Sequence, residues 1–349
     1  MLDKFKMISD MGKNYLRYKI GRPRPFFCVY ATTLECNYNC RYCPIAFDTG
    51  SEASQGAQNV KQRPELTTEQ ARYAVDWLRK IGTVGISFTG GEPLLKENLE
   101  EIAAYARQKG FFNILNTNAS LVTEERARAL GRCFDSVTIS LWGSRETDNA
   151  LRGDRAYEKT TSGIGMLKKE TKLKININFV VNRDNYREID FILDYALTNG
   201  DSVTFLPLNY VPDSVLDVDT AGQVQEKLVA VKKRYGAFVS NSLNNIKLFS
   251  DFLTGGMPHF DCDPFDVYFG LGPDGGISGC CSYYYFVGNV LTLSPDAYHT
   301  LKAAHKQTLL DRCGGCSSPL CRELSALYRR PIAGNMLMVN KYLDLLWHK

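Results

Sequence analysis

The chain reads as an α/β protein: a partial, open (β/α)6 barrel of six parallel strands, followed by a small C-terminal α+β domain. Three observations predict this. Between residues 26 and 208, six short Val/Ile/Phe-rich segments alternate with segments of helical apolar spacing, the pattern of parallel strands joined by helical crossovers. Nine of the 11 cysteines fall into two groups, 36–43 and 262–321. Polar residues gather where each strand ends, the rim that carries the site in barrels and open sheets alike. A doubly wound open sheet shares the alternation and stands as the alternative.

Residues 1–25 predict an amphipathic helix closed by Gly21-Arg22-Pro23-Arg24-Pro25. The first strand is 26–33. Residues 48–63, rich in Gly, Ser and Gln, predict a mobile loop over the first site. A helix over 67–81 begins with Thr67 and Gln70 as a capping pair. The remaining strands are 84–88, 111–116, 137–142, 174–181 and 202–208, with helices at 97–109, 123–133, 157–171 and 186–199 between them. The strands look almost continuously apolar, as strands buried on both faces do. The acidic stretch 213–219 reads as a linker and 224–235 as a helix. The expected divisions are 1–25, a barrel over 26–215, a linking helical region over 216–250, a cysteine-bearing domain over 251–335 and a C-terminal helix over 336–349.

Of the 349 residues 44% are hydrophobic, enough for one large domain or a large and a small one. A net charge of +4 gives no case for nucleic acid. No apolar run reaches the roughly 18–20 residues of a membrane span, and residues 1–19 lack a signal-peptide core. Eleven cysteines without an export signal favour ligand use in a reducing cytoplasm over disulfides. Cys28 and Cys133 sit in apolar contexts and read as core residues.

The first group, Cys36-Asn-Tyr-Asn-Cys40-Arg-Tyr-Cys43, puts three thiols in a loop after the first strand. Three thiolates hold three irons of a [4Fe–4S] cluster and leave the fourth open to a ligand. A structural zinc is the competing use, but it wants a fourth Cys or His close by. After the second strand comes Thr89-Gly90-Gly91-Glu92-Pro93. This combination resembles the radical S-adenosylmethionine (radical SAM) superfamily over residues 26–210. The resemblance implies a partial TIM-like barrel and an enzyme whose open iron chelates the amino and carboxylate groups of SAM. One electron then yields methionine and a 5′-deoxyadenosyl radical that abstracts hydrogen from a substrate. It also implies an electron donor such as flavodoxin or ferredoxin.

Carried onto this chain, the resemblance gives Gly90, Gly91, Glu92 and Pro93 to the methionine amino group and Tyr42 to the adenine. Ser140 goes to the ribose or carboxylate and Arg152 to the methionine carboxylate. Asn118 and Leu206, at the ends of strands three and six, complete the cofactor set. Ala119 stands where relatives often have glycine, and a Gly-x-Ile-x-Gly pattern on strand five is absent.

Further on, Cys262-x12-Gly275-x4-Cys280 and Cys313-x2-Cys316-x4-Cys321 resemble the SPASM or Twitch extension of that superfamily. The resemblance implies an auxiliary [4Fe–4S] cluster drawn from Cys262, Cys280, Cys313, Cys316 and Cys321. Six thiols are too few to ligate two clusters fully, and a four-cysteine zinc ribbon is the bland alternative. Cys281 is the thiol left over, a candidate hydrogen donor if the enzyme is an epimerase. Tyr283, Tyr284 and Tyr285 follow it as possible pocket walls. Three functions compete: a radical enzyme for a small-molecule biosynthetic intermediate, a peptide modifier, and a non-enzymatic metal binder that leaves the Gly-Gly-Glu-Pro stretch unexplained.

Overall fold

A computed structural model describes residues 4–46, 52–208, 211–280, 286–313 and 318–329. Helix α1 (Lys4–Lys19) leads to β1 (Phe27–Thr33), α2 (Glu52–Lys61), α3 (Thr68–Ile81) and β2 (Gly85–Gly90). Then come α4 (Leu99–Gln108), β3 (Phe112–Thr117), α5 (Glu124–Cys133), β4 (Ser136–Ser140), α6 (Arg145–Arg152) and α7 (Ala156–Glu170). They are followed by β5 (Lys174–Val181), α8 (Ile189–Asn199), β6 (Ser202–Pro207), α9 (Val218–Tyr235), α10 (Leu243–Ile246) and α11 (Phe249–Leu253). The last elements are β7 (Tyr268–Leu271), β8 (Gly276–Ser278), β9 (Phe286–Asn289), α12 (Tyr298–Arg312) and α13 (Pro319–Arg329).

Among the described residues, nine strands form one sheet in the order β6-β5-β4-β3-β2-β1-β7-β8-β9. From β1 to β6 every neighbour is parallel and consecutive in sequence. A doubly wound sheet would reverse its strand order at a switch point; this one does not, and it is the partial barrel. The strands after residue 250 extend the same sheet: β7 pairs parallel to β1, and β8 and β9 continue antiparallel. The expected Pro-Asp-Gly hairpin joins β7 to β8, with Gly275 at φ 82°.

One face of the barrel strands packs on the helices. Ile86, Phe88, Leu115, Val137, Ile139, Ile177, Phe179 and Phe205 share a core with Trp77, Leu78, Ile102, Leu130 and Leu167. The other face is half-buried and polar. Strands β3 to β5 alternate intermediate and buried residues, and the inner positions hold Ser87, Asn116, Thr138, Ser140, Asn176, Asn178, Ser202 and Thr204. Burial on both faces thus holds for β1, apolar through Ala31 and closed by the buried Thr32 and Thr33, and fails for β3–β5, because their inner face borders a lumen.

Two expectations of irregular chain are corrected. Within 48–63, residues 52–61 are helix α2, because Ala57 and Val60 bury themselves against Ala31, Leu34 and Ile45. Within 213–219, Asp217 caps α9 by accepting the Thr220 N–H at 2.9 Å, so the helix starts six residues early. The Thr67–Gln70 capping box is present in both directions. The helix expected over 336–349 lies outside the described residues. Helix α1 clasps α13: Tyr15 and Tyr18 meet the Tyr328 ring edge-on, and Lys19 Nζ donates to the Arg329 carbonyl. No described helix is long and apolar enough to cross a membrane.

Trp77 fastens the later segment to the barrel. It is fully buried, donates from Nε1 to the Leu293 carbonyl at 2.7 Å and meets the Tyr298 ring edge-on. Trp77→Ala is expected to cost about 3–5 kcal/mol in chemical denaturation and to expose residues 286–312 to limited proteolysis before the barrel itself unfolds.

Candidate active site

The cysteine loop leaves β1 at the rim and folds back onto the ends of β2 and β3. The Gly91 N–H donates to the Thr33 carbonyl at 2.9 Å and the Glu92 N–H to the Glu35 carbonyl at 2.8 Å. A Cβ on Gly90 would stand 1.9 Å from the Thr33 oxygen, and one on Gly91 2.1 Å from the Glu35 oxygen. Only residues without side chains allow two backbones this close. The glycines therefore seat the chain entering the cysteine loop.

Glu92 is completely buried, and its carboxylate is spent within the protein. Oε1 accepts from Thr117 Oγ1 at 2.6 Å and Leu94 N at 3.0 Å, and Oε2 from Asn118 N at 2.7 Å. Burial pushes its carboxyl above the ordinary range, and these donors pull it back. Its side chain braces the end of β2 to the end of β3. Pro93 opens the 3-10 turn that follows and is buried. Asn118 returns the brace to the loop, with Nδ2 donating to Asn37 Oδ1 at 2.9 Å while Asn37 Nδ2 donates to Ser120 Oγ. Ala119 holds φ 59°, a left-handed conformation that a residue with a side chain rarely adopts.

The three thiols of Cys36, Cys40 and Cys43 act on one another. Burial pushes Cys40 up to about 11, the nearby Arg152 pulls it down, and Cys43 and Cys36 add to the rise. Burial likewise raises Cys36, whose sulfur accepts the Tyr38 N–H at 3.4 Å. Helix α2 lies over this loop: Lys61 Nζ donates to the Ile45 carbonyl, and Cys43 packs against the Ala57–Val60 cluster.

Arg152, at the end of α6, is buried under the loop. Nη1 donates to the Ser140 carbonyl at 2.6 Å and to Asp148 at 3.0 Å, and the guanidinium lies 5.3 Å from the centre of the Tyr38 ring. Nη2 is buried with no hydrogen-bond partner. Trp142 Nε1 is a second such donor; its ring clusters with Tyr42, Leu151, Val180 and Leu208, against which Cys40 and Leu206 pack. The Tyr42 hydroxyl donates to Asp184 Oδ2 at 2.6 Å, and burial together with that carboxylate raises its pKa to about 12.

Sequence reading thus placed Tyr42, Gly90–Pro93, Asn118, Ser140, Arg152 and Leu206 around the loop. It missed Asn37, Tyr38, Trp142 and Asp148. It also missed the polar inner face below them, although the alternation Ser136-Val-Thr-Ile-Ser140 and Asn176-Ile-Asn178-Phe was there to be read.

The later cysteines only partly converge. Cys262 lies near Cys280 and Cys313, and burial, with those thiols adding, raises it to about 12. A shallow cavity of about 280 Å³ lies on the surface between Arg41, Asp184 and the α6 residues Glu146, Thr147 and Leu151, and one of about 260 Å³ opens between Cys262, Cys313, His259 and Arg329. Cys321 is fully buried among Val267, Tyr268 and Leu324, a cluster on which Cys262 also packs. Cys281, Cys316 and Tyr283–Tyr285 lie outside the described residues.

A single sheet with its polar residues at the carboxyl ends of parallel strands defines a β/α partial-barrel protein. Residues 30–196, just under half of the chain, match the family model described as the Radical SAM superfamily. The chain is 33% identical over 168 residues to the Fe-coproporphyrin III synthase of Methanosarcina barkeri (strain Fusaro / DSM 804), covering 48% of this chain and 39% of that one. It is 32% identical over 181 residues to the AdoMet-dependent heme synthase of the same organism, covering 50% and 48%. The match thus spans less than half of each relative's length. Streptococcus suis SuiB bound to precursor peptide SuiA superposes with TM-score 0.65 at 15% identity, over 88% of this chain and 76% of that one. The anSMEcpe protein with bound AdoMet does so with TM-score 0.61 at 20% identity, over 81% and 82%. These likenesses show the fold.

Gly91→Ala is expected to lower iron incorporation several-fold with the far-ultraviolet circular dichroism unchanged. The comparison is Gly165→Ala on the open side of α7, where a Cβ meets nothing within 4 Å. There the iron content stays the same and the helix gains up to about 1 kcal/mol.

Proposed function

We propose that this chain is a radical SAM enzyme that reductively cleaves SAM and abstracts a hydrogen atom from a small-molecule biosynthetic intermediate. The observation that carries the reading is the pairing of the Cys36–Cys40–Cys43 loop with a buried guanidinium whose Nη2 has no partner. Three thiols leave one iron of a four-iron cluster open. A planar donor left unpaired beside them suits the carboxylate of a ligand chelated there. The donor set therefore fits a [4Fe–4S] cluster with SAM bound to it, and Cys36, Cys40 and Cys43 would hold that cluster. When bound, the pair supplies the electron and the primary radical.

The chain's own residues do the rest. Gly90 and Gly91 hold the loop against the rim, Glu92 and Asn118 tie the ends of β2 and β3 to it, and Arg152 would orient the carboxylate. Apolar packing of Tyr42, Trp142 and Leu206 would keep water from the same side.

An auxiliary [4Fe–4S] cluster in a SPASM- or Twitch-like segment is the second part of the proposal. Cys262, Cys280 and Cys313 would supply three ligands and Cys316 or Cys321 the fourth, and Cys281 is kept as a candidate hydrogen donor. The cavity beside Cys262 and Cys313 supports this placement. A small-molecule substrate is favoured because both curated relatives are named for small molecules, an iron porphyrin and heme.

Anaerobic reconstitution tests the reading. The wild type should bind roughly eight irons and eight sulfides per chain, and the triple Cys36/Cys40/Cys43→Ala variant roughly four. With a low-potential reductant the wild type should release 5′-deoxyadenosine from SAM, and the triple variant none. Failure of the wild type to cleave SAM with full iron content would overturn the proposal, and deuterium transfer from a peptide instead of a metabolite would reassign the substrate.

A further inference from the structure

We propose that Tyr38 and Asp148 hold Arg152 as a fixed cation beside Cys40 and that this cation sets the ease of reduction of the first cluster. The inference rests on the reading of Cys36, Cys40 and Cys43 as cluster ligands.

The geometry leaves the guanidinium little freedom. Its plane lies over the Tyr38 ring, whose centre is 5.3 Å away. Nη1 is held between the Ser140 carbonyl and both Asp148 oxygens. Asp148 is itself buried and fixed, because Oδ1 also accepts the Trp142 N–H at 2.6 Å. The loop is pinned to the same helix end by the Arg41 N–H, which donates to the Leu151 carbonyl at 2.8 Å. Arg41 follows Cys40 and Leu151 precedes Arg152, so this bond joins thiol and cation through their neighbours. Tyr38 adds a second tie: its ring carries the guanidinium while its backbone N–H donates to Cys36 Sγ.

A cluster bound by three thiolates gains one negative charge when a low-potential donor passes it one electron. A cation held beside it in buried, low-dielectric surroundings favours that reduced form, as a hydrogen bond to a ligand sulfur does. Asp148 works against the cation, so removing Arg152 and neutralising Asp148 have opposite effects. That opposition separates a charge effect from a loss of packing. Tyr38 meets the guanidinium through its ring, so the ring rather than the hydroxyl is required.

The test is a redox titration followed by electron paramagnetic resonance, with the first cluster identified as the signal that changes when SAM is added. Iron and sulfide are assayed in every sample. Arg152→Gln should titrate at a more negative potential, the reduced-to-oxidised ratio at a fixed poise falling about tenfold, which is 59 mV for a one-electron couple. Asp148→Asn should move the other way, and Tyr38→Phe should match the wild type. Equal potentials in Arg152→Gln, Asp148→Asn and the wild type would overturn the proposal, as would shifts in the same direction. If Arg152→Gln fails to hold iron, the sign of the Asp148→Asn shift decides. A wild type that binds no cluster would overturn the cluster reading itself, which distinguishes the two failures.

Discussion

Everything at the rim depends on two backbones lying closer than side chains permit. Gly90 and Gly91 sit against the Thr33 and Glu35 carbonyls, and from that contact a closed circuit follows. The cysteine loop bonds to the end of β2, Glu92 carries the link to the end of β3, and Asn118 passes it back to Asn37 within the loop. Thr33, Glu92, Thr117 and Asn118 are buried, so each is fixed by the cost of leaving a donor or acceptor unpaired, while Glu35 and Asn37 close the circuit at the surface. A loop held in this way keeps the cysteine-bearing segment seated on the rim.

How much of this the residues announce depends on the range of the interaction. The capping box at Thr67 and Gln70 is local, and its two bonds span three positions, so it could be read. The Gly-Gly-Glu-Pro motif could be placed, but not the reason for its glutamate, because Thr117 and Asn118 lie on another strand. Helix α2 was hidden by its composition: Gly56, Ser54 and two glutamines look like loop, and only contact with Leu34 and Ile45 makes the helix worthwhile. Strands β8 and β9, three and four residues long, are too short to carry a period and emerge only from pairing.

The barrel's two faces obey different rules. The helix-covered face is a packed core in which shape and volume decide stability. The inner face of β2 to β6 is lined with amides and hydroxyls, and Asn176 gathers several of them, its Oδ1 accepting from Ser202 and Thr204. Lys174 is the charged residue at the inner positions of these strands, at the start of β5, and it pairs with Asp201.

The clasp between α1 and α13 has a bearing on how the protein is made. Lys19 and Arg329 are separated by 310 positions in the chain. During synthesis the tyrosines of α1 emerge first, and the ring they pack on emerges after the whole barrel has been translated. The barrel and its cysteine loop can therefore assemble while α1 still lacks its partner. The thiols near α13 leave the ribosome last, so the second cysteine group cannot be brought together before the first has been translated.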